Sequence, residues 1–508
     1  MDYLLASLEL YASPLRERIS NHGYFSQGII KLKTSQIIES FIQKSERAIP
    51  ITALLEDDYL VWITTQKAET QQWLKDNEFE PKKGCMQLIP DNHGKITHVV
   101  VGLMHDKDTF ALARAVSRLP AGEYELVEMP CHKNYSCIQS PLFYLAWGLE
   151  QYRFTVFKPS LTKLDKKLVI PHQKNLAVLT KLLSVTCWVR DLINMPAQDL
   201  NPAALEEVVQ ELANKHKALF SSIVGEDLLK AGFPAIHTVG RASVYAPRLL
   251  ELYWGDPKAP QVTLIGKGVC FDTGGLDLKS SAGMLIMRKD MSGAAQVLGL
   301  AALIMETRLP IRLRVLIPAV ENAVSGNAYR PGDVITTRKG LTVLVENTDA
   351  EGRLILSDAI AYAMESPPEL LIDIASLTGA ATVSLGYDIA SFFTNDDKFS
   401  AELMDAAQYV SEFLWRMPLH PLYKDFISPE TADLTNAPLL SYAGSITAAL
   451  FLQEFVDVKK HPETTWVHFD TSAWNDKAKP GKPIGGEATV IRSLYEYLAS
   501  RFEPKELT

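Results

Sequence analysis

From about residue 200 onward, short apolar runs alternate with longer stretches of helical pattern, and no other feature of the chain restricts its fold so tightly. Segments 262–265, 313–320, 342–345, 370–375 and 466–469 read as strands, and 288–308 and 353–364 as helices. Such alternation predicts a mostly parallel sheet with helices on both faces. In a sheet of this kind, polar loops beyond the carboxyl ends of the strands are where a site assembles.

The first part of the chain is plainer. Residues 1–160 read as a smaller α/β domain, with strands at 60–63 and 96–103 and a helix over 108–118. A charged, proline-containing junction follows, so 161–196 is expected to be a linker whose long helix covers 173–192 and stops before Pro196. The remainder, 197–508, is expected to be the larger, catalytic domain. Five cysteines at irregular spacing, with no CxxC pair, read as reduced thiols. Cys270, between Val269 and Phe271, reads as packing rather than as a nucleophile. The net charge of -9 offers no global basic field, so a nucleic-acid partner is not expected. The first residues lack the basic start of a signal peptide, and no run of about 18 apolar residues occurs. A cytoplasmic protein without a membrane partner is expected.

Two polar clusters fall at the expected strand ends. One runs from Gly266-Lys267-Gly268 through Asp272-Thr273-Gly274-Gly275 to Lys279 and on to Asp290; the other is Asn347-Thr348-Asp349-Ala350-Glu351-Gly352-Arg353. In an extended segment Asp349, Glu351 and Arg353 project to one side. Four carboxylates in one pocket repel unless something neutralises them. Two divalent cations bring the needed charge, and at about 3.5–4 Å apart they can share a water and lower its pKa. Oxygen-rich donors suit such hydrolytic metals. Lysine becomes a ligand only where it is kept neutral, and a second lysine or an arginine can stabilise a developing oxyanion. Each piece also has a plainer reading. Thr348-x-x-Glu351 is a capping box, Gly266-x-Gly268 a tight turn, and Asp290 a solvated helix residue.

Segments 266–279 and 347–354 resemble the two signatures of the leucyl aminopeptidase (M17) family, in order and in spacing. The likeness extends through 190–196 and 445–452; it covers about the last 320 residues well and the first 160 only in size and layout. It implies that Lys267, Asp272, Asp290 and Glu351 hold a tighter metal, and that Asp272, Asp349 and Glu351 hold a more exchangeable one. Asp349 would also use its backbone carbonyl. Manganese or zinc is implied, with magnesium or cobalt as alternatives. Lys279 would polarise the substrate carbonyl, and Arg353 would hold a bicarbonate acting as general base. Asp290 would also receive the free α-amine of the substrate.

The resemblance further implies that Met287, Ser376, Leu377 and Gly379 line the pocket for the first residue. A methionine-lined pocket favours an apolar residue such as Leu or Met. The C-terminal stretch His468-Phe469-Asp470-Thr471-Ser472-Ala473-Trp474 departs from the family's usual His-Leu-Asp-Ile-Ala-Gly and is similar to a peptidase-B-like branch, which puts leucine preference in question. His468 reads as structural. Asp277 stands where the family has an uncharged residue. The implied partners are short peptides and five further copies in a homohexamer. A narrow dipeptidase, a DNA-binding side function and an inactive scaffold are the competing readings.

Overall fold

The computed structural model describes residues 37–105, 108–127, 141–158, 165–170, 173–438 and 442–503. It divides into two compact units, Met1–Leu183 and Ser184–Thr508, the division falling inside the helix Gln173–Asn194. The fold is mixed α/β, with the smaller unit first. Among the described residues no helix is long and apolar enough to cross a membrane.

The first unit is built on a six-stranded sheet in the order Phe41–Ile42, Lys166–Val169, Gly122–Leu126, Ile49–Leu54, Ile96–Gly102, Met86–Pro90. All neighbours are parallel except the last pair. The expected strand at 60–63 is not one. Glu56–Trp62 is an α-helix continued by a 3-10 turn through Thr65. Glu56, Asp57 and Asp58 occupy its first turn, where the helix dipole favours acids, and of its residues only Trp62 is buried. The helix expected over 108–118 shortens to Ala111–Val116, because the Asp108 carboxylate instead accepts from the Met104 N–H and pairs with Arg114. Cys131 and Cys137 lie outside the described residues; Cys85, Cys187 and Cys270 are free.

The second unit carries nine strands in one sheet: β1 (Leu219–Val224), β2 (Arg248–Trp254), β3 (Gln261–Gly266), β4 (Gly268–Asp272), β5 (Arg312–Asn322), β6 (Leu370–Ala375), β7 (Ala390–Thr394), β8 (Leu414–Arg416) and β9 (Thr465–Asp470). Their order is β8-β7-β9-β6-β3-β5-β2-β1, with β4 also beside β5. The middle, from β9 to β5, is parallel, whereas β7 joins β9 and β2 joins β5 antiparallel. The helix expected at 288–308 begins as a 3-10 turn, Met287–Met291, and continues as α1 (Ser292–Thr307). On one face α1 packs so closely that a Cβ on Gly266 would lie 2.6 Å from the Ala294 Cα. On the other, α2 (Glu351–Met364) and α3 (Gly444–Val456) share a core with Ile265, Leu371 and Trp466.

Strand 342–345 corrects the sequence reading in a second way. Thr342–Leu344 belongs to a separate three-stranded sheet with Val334–Thr336 and Leu434–Thr435. The second cluster therefore reaches the site from outside the main sheet.

Candidate metal centre

Lys267 follows directly on β3, and Asp272 ends β4. Asp272 Oδ1 accepts from the Gly274 N–H and from Asn322 Nδ2, both at 2.8 Å. The chain then turns through Gly274 and Gly275, at φ +87° and +66°, and a Cβ on Gly275 would meet Thr348 Oγ1 at 2.8 Å. Glycine is needed there twice over, for the left-handed backbone and for the approach to Thr348.

The second cluster is not extended. Residues 347–350 form a turn and Glu351 opens α2, so Glu351 and Arg353 project from a helical turn. The capping reading also fails: Ala350 is the N-cap and makes no side-chain cap bond, while Thr348 Oγ1 donates to the Gly274 carbonyl at 2.6 Å. Tertiary partners from the first cluster have taken the groups that a local cap would use.

The fold brings the seven charged residues into one place. Lys267 Nζ lies 2.8 Å from Asp290 Oδ2 and 2.8 Å from Glu351 Oε1. Lys279 Nζ lies 2.8 Å from Asp272 Oδ2 and also contacts Asp349 Oδ1. One oxygen each of Asp272, Asp290 and Glu351 falls within 4.8 Å of the others, and all three residues are buried. Gly352 makes room for this arrangement, since a Cβ there would sit 2.7 Å from Lys267 Cε.

Four acids face two ammonium groups directly, with the Arg353 guanidinium and the Lys289 ammonium acting on Glu351 and Asp290 from farther out. Burial, reinforced by Asp290, pushes Asp272 up to about 6. Burial, reinforced by Asp272, pushes Glu351 well above the carboxylate range. Asp290 goes the other way: burial works against its charge, but Lys267 and Lys289 outweigh it and hold the pKa below normal. Burial likewise opposes the charge on both lysines, yet the acids prevail and hold Lys267 and Lys279 above their usual range. Lys267 is thus a cation while only acids face it, and would become a ligand only where a stronger cation displaces its proton. Glu351 Oε2, fully buried, has no hydrogen-bond partner among the described residues. The donor set and this orphaned oxygen fit divalent cations.

Arg353 is 6% exposed, and its Nε and Nη1 have no partner among the described residues. Burial lowers its pKa to about 10. A buried guanidinium with spare donors suits a small planar anion.

The residues expected to line a pocket lie beside these groups. Met287 opens the 3-10 turn that carries Asp290, and positions three apart share a side of such a turn. Ser376 Oγ donates to Asp290 Oδ1 at 2.8 Å, and its carbonyl accepts from Lys267 Nζ at 3.0 Å. The Leu377 N–H donates to Asp470 Oδ1 at 3.0 Å. Gly379 begins a short helix, Gly379–Leu385, and a Cβ there would touch nothing within 4 Å. His468 is wholly buried in β9, its Nδ1 2.5 Å from Asp373 Oδ1. Cys270 is buried too, which pushes its thiol pKa up.

Several supporting residues were not foreseen. Asn322 ties Asp272 to the Thr348 carbonyl, Tyr329 OH donates to the same carbonyl at 2.6 Å, and Asn436 Nδ2 donates to the Asn347 carbonyl at 2.6 Å. Asp470 holds the 377–378 backbone, and Lys289 helps keep Asp290 ionised. A position at the end of β5 is the only signal that could have pointed to Asn322.

Comparison with known proteins identifies the family. Residues 187–495 match the model of the cytosol aminopeptidase family catalytic domain, and 49–171 match the M17 aminopeptidase N-terminal domain. A probable cytosol aminopeptidase of Chlorobium limicola is 42% identical over 318 residues, 61% of each chain. One from Clostridium perfringens is 39% identical over 326 residues, 63% of this chain and 65% of that one. The chain thus spans somewhat under two thirds of the length of these curated relatives. A crystal structure of cytosol aminopeptidase from Coxiella burnetii, 42% identical, superposes with a TM-score of 0.86 over 92% of this chain and all of that one. The bottromycin maturation enzyme BotP in complex with Mn, 28% identical, superposes with a TM-score of 0.79 over 90% of this chain and all of that one. With its catalytic-domain match covering more than half its length, the chain belongs to the cytosol aminopeptidase family, M17.

Proposed function

We propose that this chain is a metal-dependent aminopeptidase that releases N-terminal residues, apolar ones such as Leu or Met by preference, from short peptides. The observation that carries the reading is the convergence of the buried Asp272, Asp290 and Glu351 within 4.8 Å of one another, with part-exposed Asp349 beside them and Glu351 Oε2 without a partner among the described residues. Lys267, Asp272, Asp290 and Glu351 would hold one cation; Asp272, Asp349 and Glu351 would hold the other. Two divalent ions, manganese or zinc with magnesium or cobalt as alternatives, supply Lewis acidity and a water of lowered pKa when bound. The manganese complex of BotP makes manganese the first choice to test.

The other roles belong to the chain itself. Asp290 receives the free α-amine, and Ser376 Oγ fixes one of its oxygens for that task. Lys279 donates to the scissile carbonyl oxygen as negative charge develops on it. Arg353 would hold a bicarbonate with its two spare N–H groups, and that anion, when bound, would supply a general base. Met287, Leu377 and Gly379 border the first side chain. The assembly is a homohexamer; exposed Phe413, Trp415 and Tyr442 support association between copies.

The test is to strip the metal, restore manganese or zinc, and assay aminoacyl amides beside their N-acetylated forms. Metal-dependent release from free-amine substrates alone is expected. Equal hydrolysis of the acetylated forms, or no hydrolysis with metal bound, overturns the proposal. Turnover of one dipeptide only would favour the narrow dipeptidase.

A further inference from the structure

Asp277 is not among the seven charged residues of the centre, yet it joins the two clusters. Its backbone N–H donates to Thr348 Oγ1 at 2.9 Å, and its Oδ2 accepts from the Thr348 N–H at 2.7 Å. Thr348 is fully buried and is held on every polar atom. Its hydroxyl donates to the Gly274 carbonyl at 2.6 Å, and its own carbonyl accepts from Tyr329 OH at 2.6 Å and Asn322 Nδ2 at 3.0 Å. The next residue is Asp349, whose N–H is in turn fixed by Asn347 Oδ1 at 2.8 Å. The Asp277 carboxylate therefore fixes the 347–348 peptide, and Asn322, Tyr329 and Asn347 fix the 348–349 peptide that follows it.

The residue type matters as well as the contact. A hydroxyl or an amide oxygen could accept the same N–H, but only a carboxylate adds charge. Asp277 is largely exposed, so its charge carries little desolvation cost. It sits against the turn that carries Asp349, beside the four acids of the centre. A fifth negative charge there favours positive charge bound among them.

We propose that Asp277 is a positioning residue for the divalent cation assigned above to Asp272, Asp349 and Glu351, fixing the Asp349 turn and adding negative charge that tightens that ion most. This inference rests on the proposed two-cation centre. A unit charge acting on a divalent cation over roughly 8 Å in a water-like medium changes Kd about five-fold. Losing the acceptor for the Thr348 N–H loosens the turn and adds to that figure.

Calorimetric titration of the metal-stripped full chain with Mn2+ tests it, with metal content after dialysis as a second readout. The wild-type chain is expected to take two ions. Asp277→Asn keeps an acceptor oxygen and removes the charge, so the weaker ion's Kd should rise about five-fold and the tighter one's, about 4 Å farther off, no more than about three-fold. Asp277→Ala removes both, and the weaker ion's Kd should rise more than ten-fold. Thermal unfolding of the metal-free variants checks that each is folded, and the asparagine variant keeps the test open if the alanine variant is not. Unchanged Kd values in a folded variant, or an alanine variant in which the tighter ion is weakened as much as the weaker one, overturn the role of Asp277. A wild-type chain that takes up no Mn2+ overturns instead the two-cation reading beneath it.

Discussion

Lys267 and Glu351 meet in a fully buried contact, Nζ to Oε1 at 2.8 Å, between the end of a central strand and the first residue of a helix far along the chain. The same ammonium also serves Asp290. Removing one partner of a buried pair strands the other charges in a medium that cannot solvate them, at about 3–5 kcal/mol. Lys267→Met should therefore destabilise the metal-free protein by about that amount. Denaturant unfolding of wild type and variant, with and without Mn2+, measures it. Equal stability in the metal-free state would contradict this electrostatic account.

The raised pKa of Asp272 gives the metal-free protein a pH dependence with a definite sign. The folded chain keeps this proton up to about pH 6, while the unfolded chain releases it near 3.8. Between those values the folded state binds more protons, so stability falls as pH rises and stays lower above the window. Two pKa units correspond to about 3 kcal/mol. Unfolding free energies from pH 4 to 7 should show this decline in the stripped protein, with Glu351 adding to it in the same sense, and Asp272→Asn should make it shallower.

Lys279 and Arg353 differ in what their loss should do. Lys279→Ala removes a donor to a developing negative oxygen, worth about 10² to 10³ in kcat where such donors have been deleted. Arg353→Met should abolish activation by added bicarbonate in carbonate-free buffer. It should leave stability unchanged or improved, since the guanidinium is buried with two unpaired nitrogens. Wild-type turnover indifferent to bicarbonate would remove the anion from the proposal.

Gly352→Ala tests the space beneath the cluster. Alanine is favoured over glycine in a helix by about 1 kcal/mol. Here its Cβ would fall 2.7 Å from Lys267 Cε and 2.9 Å from Leu377 Cδ1. Crowding of that kind costs about 1–3 kcal/mol. A net loss of stability and reduced Mn2+ content are expected; a more stable, fully loaded variant would mean that Lys267 has room to move.

The central strands and the charged residues were legible in the sequence because both are local signals. Apolar runs such as 262–265 and 370–375 have only one comfortable place in a fold, and NTDAEGR puts its charges within seven residues. What failed was conformation set by partners elsewhere. Segment 347–353 is a turn and a helix start, because Thr348 bonds to Gly274 and Asp277 rather than to its own helix. Leu60 and Val61 look like strand residues yet lie exposed on a helix whose acidic first turn governs it. Asn322, Tyr329 and Asn436 are neutral residues from separate elements, and nothing in their own neighbourhoods marks them.

Asn322 has a mechanical meaning that its bond lengths do not express. Its amide grips a carboxylate of one loop and a backbone carbonyl of the other, so the two loops form a single stiff frame. An ion that drew Asp272 toward itself would pull the same lever that sets the 348–349 peptide. In the proposed two-cation centre the two positions would thereby be geared together, and filling one would preset the other through a single side chain.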